Sequence, residues 1–298
     1  MTFKIYSSGE EVRGERVAAF LSGEGAGVFE TLRAYDGKIF RLEEHLGRLQ
    51  ESAKTVGYQP VPALKELQRA LKVSVRQYGA KECFVRLTLW EGQTFVIVGH
   101  RAHPHEIYEK GVALKTASFL RGGPNTFPWQ AKASAYQQAI LASTEPHSEK
   151  IYEWLFLDSQ GFLTESRIGN FFIVKYPLQR PTREPGMRAG HWKGESGETT
   201  LLTPPEHLIL NGVTRRFVIK CALEIGIRVR ETPLTRHEFF NADEAFLSNT
   251  SWEVLPVREL DGRVIGPGQP GPVTLKLHRH FKRRVHQDVT QHRSPRAH

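Results

Sequence analysis

The stretch GVFETLRAYDGKIFRLEEHLGRL, residues 27–49, decides the fold of the N-terminal half. It contains two runs of strand-forming residues, 27–34 and 38–41, with Asp36 and Gly37 between them. An Asp-Gly pair between two such runs is a strong signal for a tight β-hairpin, because both turn residues must adopt positive φ. The sequence therefore predicts that this part of the chain begins with a hairpin.

Helices and a second strand pair are expected to follow this hairpin. One helix is predicted at about 42–56, and a second at 62–78, where apolar residues recur at spacings of three and four. The segments 84–90 and 94–100 read as paired strands around a short turn. Together these elements predict a small N-terminal α/β domain over residues 1–117.

The chain changes character after this domain. Residues 118–131 are rich in Gly and Pro and are interpreted as an interdomain connector. A large C-terminal α/β domain is expected over 132–288, with a surface insertion at 176–199 and a basic tail at 289–298. Its expected elements are a helix at 133–146, strands at 155–158, 171–174, 227–231 and 244–248, and helices at 214–225 and after Pro272.

Composition excludes several classes of protein. The 298 residues are 39% hydrophobic and 24% charged, which is ordinary for a globular chain. No apolar run has the length that a membrane-spanning helix needs, and the N-terminus is too polar for a secretory signal. Cys83 and Cys221 lie in apolar segments, so we expect free buried thiols and a cytoplasmic protein.

The net charge of +9 does not indicate nucleic-acid binding, because of where the charge lies. Residues 278–298 alone hold six Lys/Arg against one acidic residue. Part of the excess is therefore expected in a solvated tail rather than on an ordered binding face. His100, His103 and His105 share a loop with no Cys beside them, so no metal site is predicted.

The residues with the clearest chemical potential are Lys132, in KASAY (132–136), and Glu165, in LTESRIGNFFIV (163–174). Pyridoxal phosphate requires a lysine amine for a Schiff base, a carboxylate that keeps the pyridine nitrogen protonated, and donors for its phosphate. Phosphate donors are expected at the start of the helix after Gly212, where free backbone N–H groups and the helix dipole favour a dianion.

The order of these motifs resembles the class IV aminotransferases, a family that includes branched-chain and D-amino acid aminotransferases and aminodeoxychorismate lyase. The resemblance rests on the hairpin-helix stretch at 27–49, the Lys-xxx-Tyr spacing, and the later segments LTES–GNFFIV, LNGVTR and LSNTSWEVLPV. It covers about residues 15–275. It implies a two-domain α+β (α/β) D-amino acid aminotransferase-like architecture, pyridoxal 5'-phosphate between the domains, and a homodimer.

The resemblance also implies roles for individual residues. Lys132 would be the catalytic residue that binds the coenzyme, and Glu165 would pair with the pyridine nitrogen. Tyr136 would bond the ring hydroxyl. The phosphate would be held by Arg48, Val213, Thr214 and Thr250.

Substrate residues follow from the same resemblance. Phe29, Arg33, Phe84 and Arg86 would form the pocket wall, and Arg86 would bind a second carboxylate. The backbone N–H of Ser251 would meet the substrate carboxylate. These residues imply transfer of an amino group between an amino acid and a 2-oxo acid.

Two alternatives remain open from the sequence. Thr31 matches a threonine of the aminodeoxychorismate lyases, which keeps pyridoxal-phosphate-dependent elimination as one alternative. The other is a non-catalytic binding protein that retains the fold, although intact Lys132, Glu165, Arg48 and Thr250 argue against it. No nucleic acid and no membrane are expected among the partners.

Overall fold

The computed structural model describes residues 3–7, 10–11, 27–122, 128–133, 142, 144–145, 150–177 and 198–291, which build two β-sheets with helices packed against them. The first sheet has six strands, all antiparallel, in the order Glu10–Glu11, Phe3–Ser7, Gln93–Gly99, Cys83–Trp90, Gly27–Tyr35 and Lys38–Ile39. The second has nine strands. Eight of them lie in the order Arg228–Glu231, Thr200–Thr203, Asn170–Lys175, Glu244–Asn249, Glu253–Leu260, Val112–Leu120, Ile151–Leu157 and Leu163–Ser166, and the ninth, Arg263–Val264, pairs with Glu253–Leu260. This confirms the predicted two-part α+β architecture.

The strands of the first sheet are β1 (Phe3–Ser7), β2 (Glu10–Glu11), β3 (Gly27–Tyr35), β4 (Lys38–Ile39), β5 (Cys83–Trp90) and β6 (Gln93–Gly99). Those of the second are β7 (Val112–Leu120), β8 (Ile151–Leu157), β9 (Leu163–Ser166), β10 (Asn170–Lys175), β11 (Thr200–Thr203), β12 (Arg228–Glu231), β13 (Glu244–Asn249), β14 (Glu253–Leu260) and β15 (Arg263–Val264). The helices are α1 (Leu42–Thr55), α2 (Leu64–Tyr78), α3 (Glu106–Lys110), α4 (Val213–Glu224), α5 (Arg236–Phe240) and α6 (Pro272–Gln291), with a 3-10 turn at Glu206–Leu208.

The predicted hairpin at 27–41 is confirmed, and its turn explains why. Asp36 and Gly37 have φ of 51° and 73°, the positive values that a tight two-residue hairpin loop needs. Glu91 and Gly92 repeat this arrangement between β5 and β6, with φ of 46° and 71°. The strand pairs of the first sheet are therefore set by local turn chemistry.

Each sheet has its own core. Helices α1 and α2 cover one face of the six-stranded sheet, where Leu46, Leu49, Leu67 and Leu71 are fully buried. Helices α4 and α6 cover the nine-stranded sheet around Phe172 and its neighbours. Burying a side chain of this size contributes roughly 1.5–3 kcal/mol, so each cluster stabilises the packing of helices on its own sheet.

The boundary between the two parts differs from the predicted one. The first sheet ends at Gly99, and β7 lies between β14 and β8 in the second sheet, paired in parallel with both. Residues 100–111 therefore connect the sheets, rather than residues 118–131 as predicted. The sequence did not predict this boundary because β7 pairs only with strands that are distant in the chain. The Gly- and Pro-rich segment that was read as the connector follows β7 and leads to Lys132.

Several predicted features lie outside the described residues. They include 178–197 of the expected insertion, residues 292–298 of the basic tail and most of the helix expected at 133–146. Among the described helices, none combines the length and the apolar character that crossing a membrane requires.

Glu253 joins the two parts of the molecule. Its buried carboxylate accepts hydrogen bonds from Arg33 (3.1 Å) and Tyr35 (2.8 Å) of β3 and lies 3.0 Å from His278 of α6. Burial raises the pKa of Glu253, but the hydrogen bond with His278 and the charge of Arg33 outweigh it, so the pKa is lowered. The carboxylate thus stays ionised and holds β3 against the second sheet.

We predict that Glu253→Gln destabilises the protein by about 1–3 kcal/mol, because a neutral amide leaves buried donors poorly paired. Glu82→Gln is the matched control, since Glu82 pairs with the same Arg33 (3.0 Å) but is exposed. Its cost should stay within about 0.5 kcal/mol. Denaturant unfolding of both variants measures this, and equal costs would remove Glu253 from this role.

Candidate active site

Lys132 is held at the edge of the first sheet by backbone hydrogen bonds. The Phe29 N–H donates to the Lys132 carbonyl at 3.0 Å, and Val28 forms an isolated bridge with Ala133. The Lys132 N–H donates to Ser52 Oγ of α1, also at 3.0 Å. The residue that the sequence assigned to the second part is therefore fixed on β3, between the two sheets.

The Lys132 amine lies in a strongly charged environment. Its Nζ is 4.8 Å from the centre of the Phe29 ring. Burial lowers the pKa of Lys132 to about 8, and Arg48 is the neighbouring charge that adds most to this effect. Glu30 and Glu165 act in the opposite direction. About a tenth of the amine is then neutral at pH 7, which makes it a competent nucleophile.

Both carboxylate oxygens of Glu165 lie within hydrogen-bond distance of a neighbouring donor. Arg121 Nη2 lies 2.7 Å from Oε1, and the Leu210 N–H donates to Oε2 at 3.0 Å. Asn170 Nδ2 approaches Oε2 at 3.5 Å and donates to the Leu210 carbonyl at 3.0 Å. Burial raises the pKa of Glu165 above its usual value, although the charge of Arg121 opposes this effect. Arg121 thus favours the ionised carboxylate.

Arg121 and Asn170 are functional residues that sequence reasoning missed. Arg121 is 2% exposed, and its guanidinium stacks on Trp129 at 4.3 Å. It lies at the start of the segment read as a connector, so nothing local marked it. Asn170 was quoted within a motif, yet its contact with Glu165 depends on the turn between β9 and β10.

Arg48 is held by another residue that the sequence did not single out. Glu30 is fully buried on β3 and receives Arg48 Nε at 2.6 Å and Nη2 at 2.7 Å. His45 Nδ1 lies 2.8 Å from the same carboxylate. Burial raises the pKa of Glu30, but Arg48 and His45 outweigh it and hold the pKa well below its usual range.

The predicted phosphate donors come together beside the start of α4. Arg48 Nη1 donates to the Asn211 carbonyl at 3.2 Å, next to the helix. The helix begins at Val213 without a side-chain cap, so its first N–H groups point to the same place. Thr214 Oγ1 and Thr250 Oγ1 lie 3.5 Å apart although 36 residues separate them.

Gly212 shows how closely this end of α4 approaches its neighbour. A Cβ at this position would lie 2.4 Å from Asn170 Oδ1, so a larger residue would force either the Asn170 side chain or the helix start to shift. The amine, the buried carboxylate and the converging phosphate donors fit pyridoxal phosphate as a set. Arg48, Thr214, Thr250 and the α4 N-terminus would hold its phosphate, and Glu165 its ring nitrogen.

The expected substrate residues divide into two groups. Phe29 and Arg86 lie together, with the Arg86 guanidinium 3.9 Å from the ring centre and no acidic partner among the described residues. Arg33 instead bonds Glu253, Glu82 and the Ser251 carbonyl, so its guanidinium is already engaged.

Two further expectations concern Ser251 and Tyr136. The Ser251 N–H donates to Asn249 Oδ1 at 2.9 Å, and its expected contact with a substrate carboxylate stays a prediction. The Asn249 side chain also accepts the Trp252 N–H, at 2.7 Å, so one amide oxygen holds two N–H groups of the turn. Tyr136 lies outside the described residues, and its role stays a prediction.

One cluster in the described part of the chain has metal-ligand chemistry. Cys221 and Glu224 of α4 and His280 of α6 have ligand atoms within 4.8 Å of one another. Arg284 pairs with Glu224 at 3.1 Å, and Arg283 Nη2 lies 2.6 Å from His280 Nδ1. Two guanidinium groups thus already pair with members of this cluster, and its polar contacts connect the two helices.

Fold and site together define a pyridoxal-phosphate-dependent enzyme, in which the lysine predicted to form the Schiff base lies between two sheets. The family model for amino-transferase class IV matches residues 27–260, so the chain belongs to the class IV aminotransferases. It is 32% identical to the branched-chain-amino-acid aminotransferase of Pseudomonas aeruginosa (86% of this chain, 83% of the relative). It is 31% identical to that of Escherichia coli K12 (93% and 91%).

Solved structures agree with the sequence relatives. The T.th. branched-chain amino acid aminotransferase, crystallised with pyridoxamine 5'-phosphate, superposes with a TM-score of 0.78 at 30% identity, covering 95% of this chain and 93% of that chain. The Escherichia coli enzyme gives 0.76 at 31% identity, covering 94% and 93%. The chain is therefore a pyridoxal-phosphate-dependent transaminase with this family's two-part fold.

We predict that Lys132 in the coenzyme-free protein reacts with an amine-acylating reagent with a midpoint near pH 8. Lys110 is the control, since its hydrogen bond with Glu106 raises its pKa. Competitive labelling followed by peptide mass spectrometry measures both lysines at once. Equal midpoints for Lys132 and Lys110 would show that the pKa of Lys132 is not lowered by burial. In Arg48→Ala the midpoint should rise, because a neighbouring positive charge is lost.

We also predict that Glu30→Gln weakens coenzyme binding although Glu30 does not contact the phosphate. The glutamine amide cannot accept two charged hydrogen bonds from Arg48, so the guanidinium loses its fixed orientation. Arg48→Ala should raise the coenzyme dissociation constant about 10- to 100-fold, and Glu30→Gln should show part of that loss. Glu51→Gln, on the exposed face of α1, is the control. Absorbance titration measures all three, and an unchanged Glu30→Gln would exclude a positioning role.

Proposed function

We propose that this transaminase exchanges the amino group between glutamate and 2-oxo acids with apolar, branched-chain-type side chains. The observation that carries the proposal is Arg86, an arginine with no acidic partner among the described residues, stacked on the Phe29 ring. Phe29 provides an apolar wall for a hydrocarbon side chain, and Arg86 provides a charge for a distal carboxylate. The names of the relatives, which are branched-chain aminotransferases, support the apolar half.

The protein groups would divide the chemistry among them. When bound, pyridoxal phosphate supplies the electron sink that stabilises negative charge on the substrate carbon. Glu165, whose ionised form the charge of Arg121 favours, would hold the proton on the ring nitrogen that this sink requires. The Lys132 amine, with its pKa lowered to about 8, is placed to take and return the proton of the substrate carbon.

Burial of these groups also matters for the reaction. Glu30, Arg48, Glu165 and Arg121 are all less than a tenth exposed. In such a site charges act on one another more strongly than in water, and no solvent has to reorganise around them. The fixed ion pairs therefore serve coenzyme orientation as well as charge balance.

We further propose that the chain works as a homodimer in the cytoplasm. Membership of the class IV family supports the dimer, in which the small part of one subunit would help to close the other's site. Two buried free thiols, Cys83 and Cys221, support a reducing compartment. Burial raises the pKa of Cys83 to about 11 and that of Cys221, together with the charge of Glu224, to about 12, so both are unreactive.

We predict that glutamate converts the bound coenzyme to its pyridoxamine form and that 2-oxoglutarate reverses the change. In Arg86→Ala the half-reaction with glutamate should become about 10- to 100-fold less efficient, because only glutamate loses a charged hydrogen bond. Leucine should change little, and Arg69→Ala, an exposed arginine of α2, serves as control.

Rapid-scanning absorbance spectroscopy follows both directions of this reaction. If no amino acid yields the pyridoxamine form while aminodeoxychorismate releases pyruvate, elimination rather than transamination is the reaction. If Arg86→Ala affects leucine as strongly as glutamate, Arg86 does not serve the distal carboxylate.

A further inference from the structure

Residues 210–212 connect the two ends of the predicted coenzyme site. The Leu210 N–H donates to Glu165 Oε2 at 3.0 Å. The carbonyl of the next residue, Asn211, accepts Arg48 Nη1 at 3.2 Å. The segment ends at the residue directly before α4. It therefore joins the carboxylate expected at the ring nitrogen to the donors expected at the phosphate.

This connection matters because the coenzyme is rigid. Its ring nitrogen and its phosphate are attached to one aromatic ring, so the protein groups that meet them must lie at a fixed separation. A shift of the 210–212 segment would satisfy one end of the coenzyme at the expense of the other. A misplacement of about 1 Å in such a site costs about 100-fold in rate.

The Asn211 carbonyl is held from the first part of the molecule. Besides Arg48 of α1, it accepts Arg216 Nη1 at 3.0 Å. Arg216 Nη2 in turn donates to Glu44 Oε2 of α1 at 3.2 Å. A backbone carbonyl has two lone pairs, so two guanidinium donors saturate it. Both contacts tie the segment to α1.

The Asn211 side chain is held from the second part. Its Oδ1 accepts Arg215 Nη1 at 3.2 Å, and its Nδ2 donates to Glu206 Oε2 at 2.8 Å. A guanidinium only donates and an ionised carboxylate only accepts, so this orientation of the amide is the one that satisfies both partners. Arg215 is 1% exposed and also donates to the Pro204 carbonyl and to Glu231. Through this buried arginine, Asn211 is fixed to the ends of β11 and β12.

We propose that Asn211 is a positioning residue that sets the separation between the phosphate donors and Glu165, and with it the tilt of the coenzyme ring. Four hydrogen bonds from both parts of the molecule hold this residue, so the segment cannot shift without breaking one of them. Asn211 acts through Arg48 at one end and through its neighbour Leu210 at the other. The inference rests on the coenzyme roles expected of Arg48 and Glu165, and it is independent of the substrate.

Two ligands separate this positioning role from general damage to the site. Pyridoxal phosphate spans both ends, whereas pyridoxal has the same ring and aldehyde but no phosphate. Asn211→Ala should raise the dissociation constant of pyridoxal phosphate about 10-fold, and that of pyridoxal less than about 2-fold. A ligand held at one end needs no fixed separation. Absorbance titration of the coenzyme-free, full-length protein in a phosphate-free buffer measures both constants.

The tilt of the ring has a spectroscopic signature of its own. With pyridoxal phosphate at saturation, the visible circular dichroism of Asn211→Ala should differ from that of wild type, because the induced signal depends on how the ring is oriented in the protein. Asn241→Ala is the matched control, since Asn241 is exposed at the end of α5. This control should leave both dissociation constants and the signal unchanged.

A double-mutant cycle tests whether Glu206 acts through Asn211. Glu206→Ala should cause part of the loss in pyridoxal phosphate affinity on its own, and no further loss in the Asn211→Ala background. Glu206→Gln should retain wild-type affinity, because it keeps an oxygen that accepts the Asn211 amide. Additive losses would remove Glu206 from this network.

Three results would each overturn the proposal. They are unchanged pyridoxal phosphate affinity in Asn211→Ala, an equal loss of pyridoxal affinity, and a circular dichroism at saturation that matches wild type. Failure of the underlying coenzyme roles would appear separately, as an unchanged coenzyme affinity in Arg48→Ala together with an unchanged coenzyme spectrum in Glu165→Gln.

Discussion

The structure depends on the pairing of residues 132–133 with β3. One backbone hydrogen bond from Phe29 and the Val28–Ala133 bridge bring Lys132 onto the first sheet. Glu165 and Thr214 come from the second sheet and its helix α4. The Lys132 amine nevertheless lies close enough to Glu165 for the two charges to interact. Because the contact uses main-chain atoms, it fixes the position of Lys132 without using its side chain.

Around that amine, buried charges alternate in sign. Glu30 lies against Arg48, and Glu165 lies against Arg121, each pair at 2.6–2.7 Å. A buried ion pair gains little net stability, because desolvation offsets most of the attraction. Its value here is geometric, since Arg48 and Glu165, which would meet the coenzyme, are each held in place by a partner of opposite charge. Positioning, rather than stability, explains why the site keeps so many charges from water.

Sequence reasoning found what local chemistry encodes. The turns at Asp36–Gly37 and Glu91–Gly92 fix their hairpins by positive φ, so β3 to β6 could be predicted closely. Lys132, Glu165 and Arg48 were predicted from motifs, and their roles stay predictions. Glu30 and Arg121 were not, because their roles come from contacts with distant residues. The boundary at 100–111 was missed for the same reason, since the place of β7 depends on β14 and β8.

The turn from Asn249 to Glu253 illustrates how one short segment can serve both halves of a reaction site. Thr250 faces Thr214 on the phosphate side, while Ser251 faces His103 in the connecting loop. Glu253 receives Arg33 from the first sheet. Asn249 fixes the turn because its side-chain oxygen accepts two N–H groups, those of Ser251 and Trp252. A turn held in this way keeps Thr250, Ser251 and Glu253 at constant relative positions, so a change in this one short segment would be felt beside Thr214, in the connecting loop and between the two sheets.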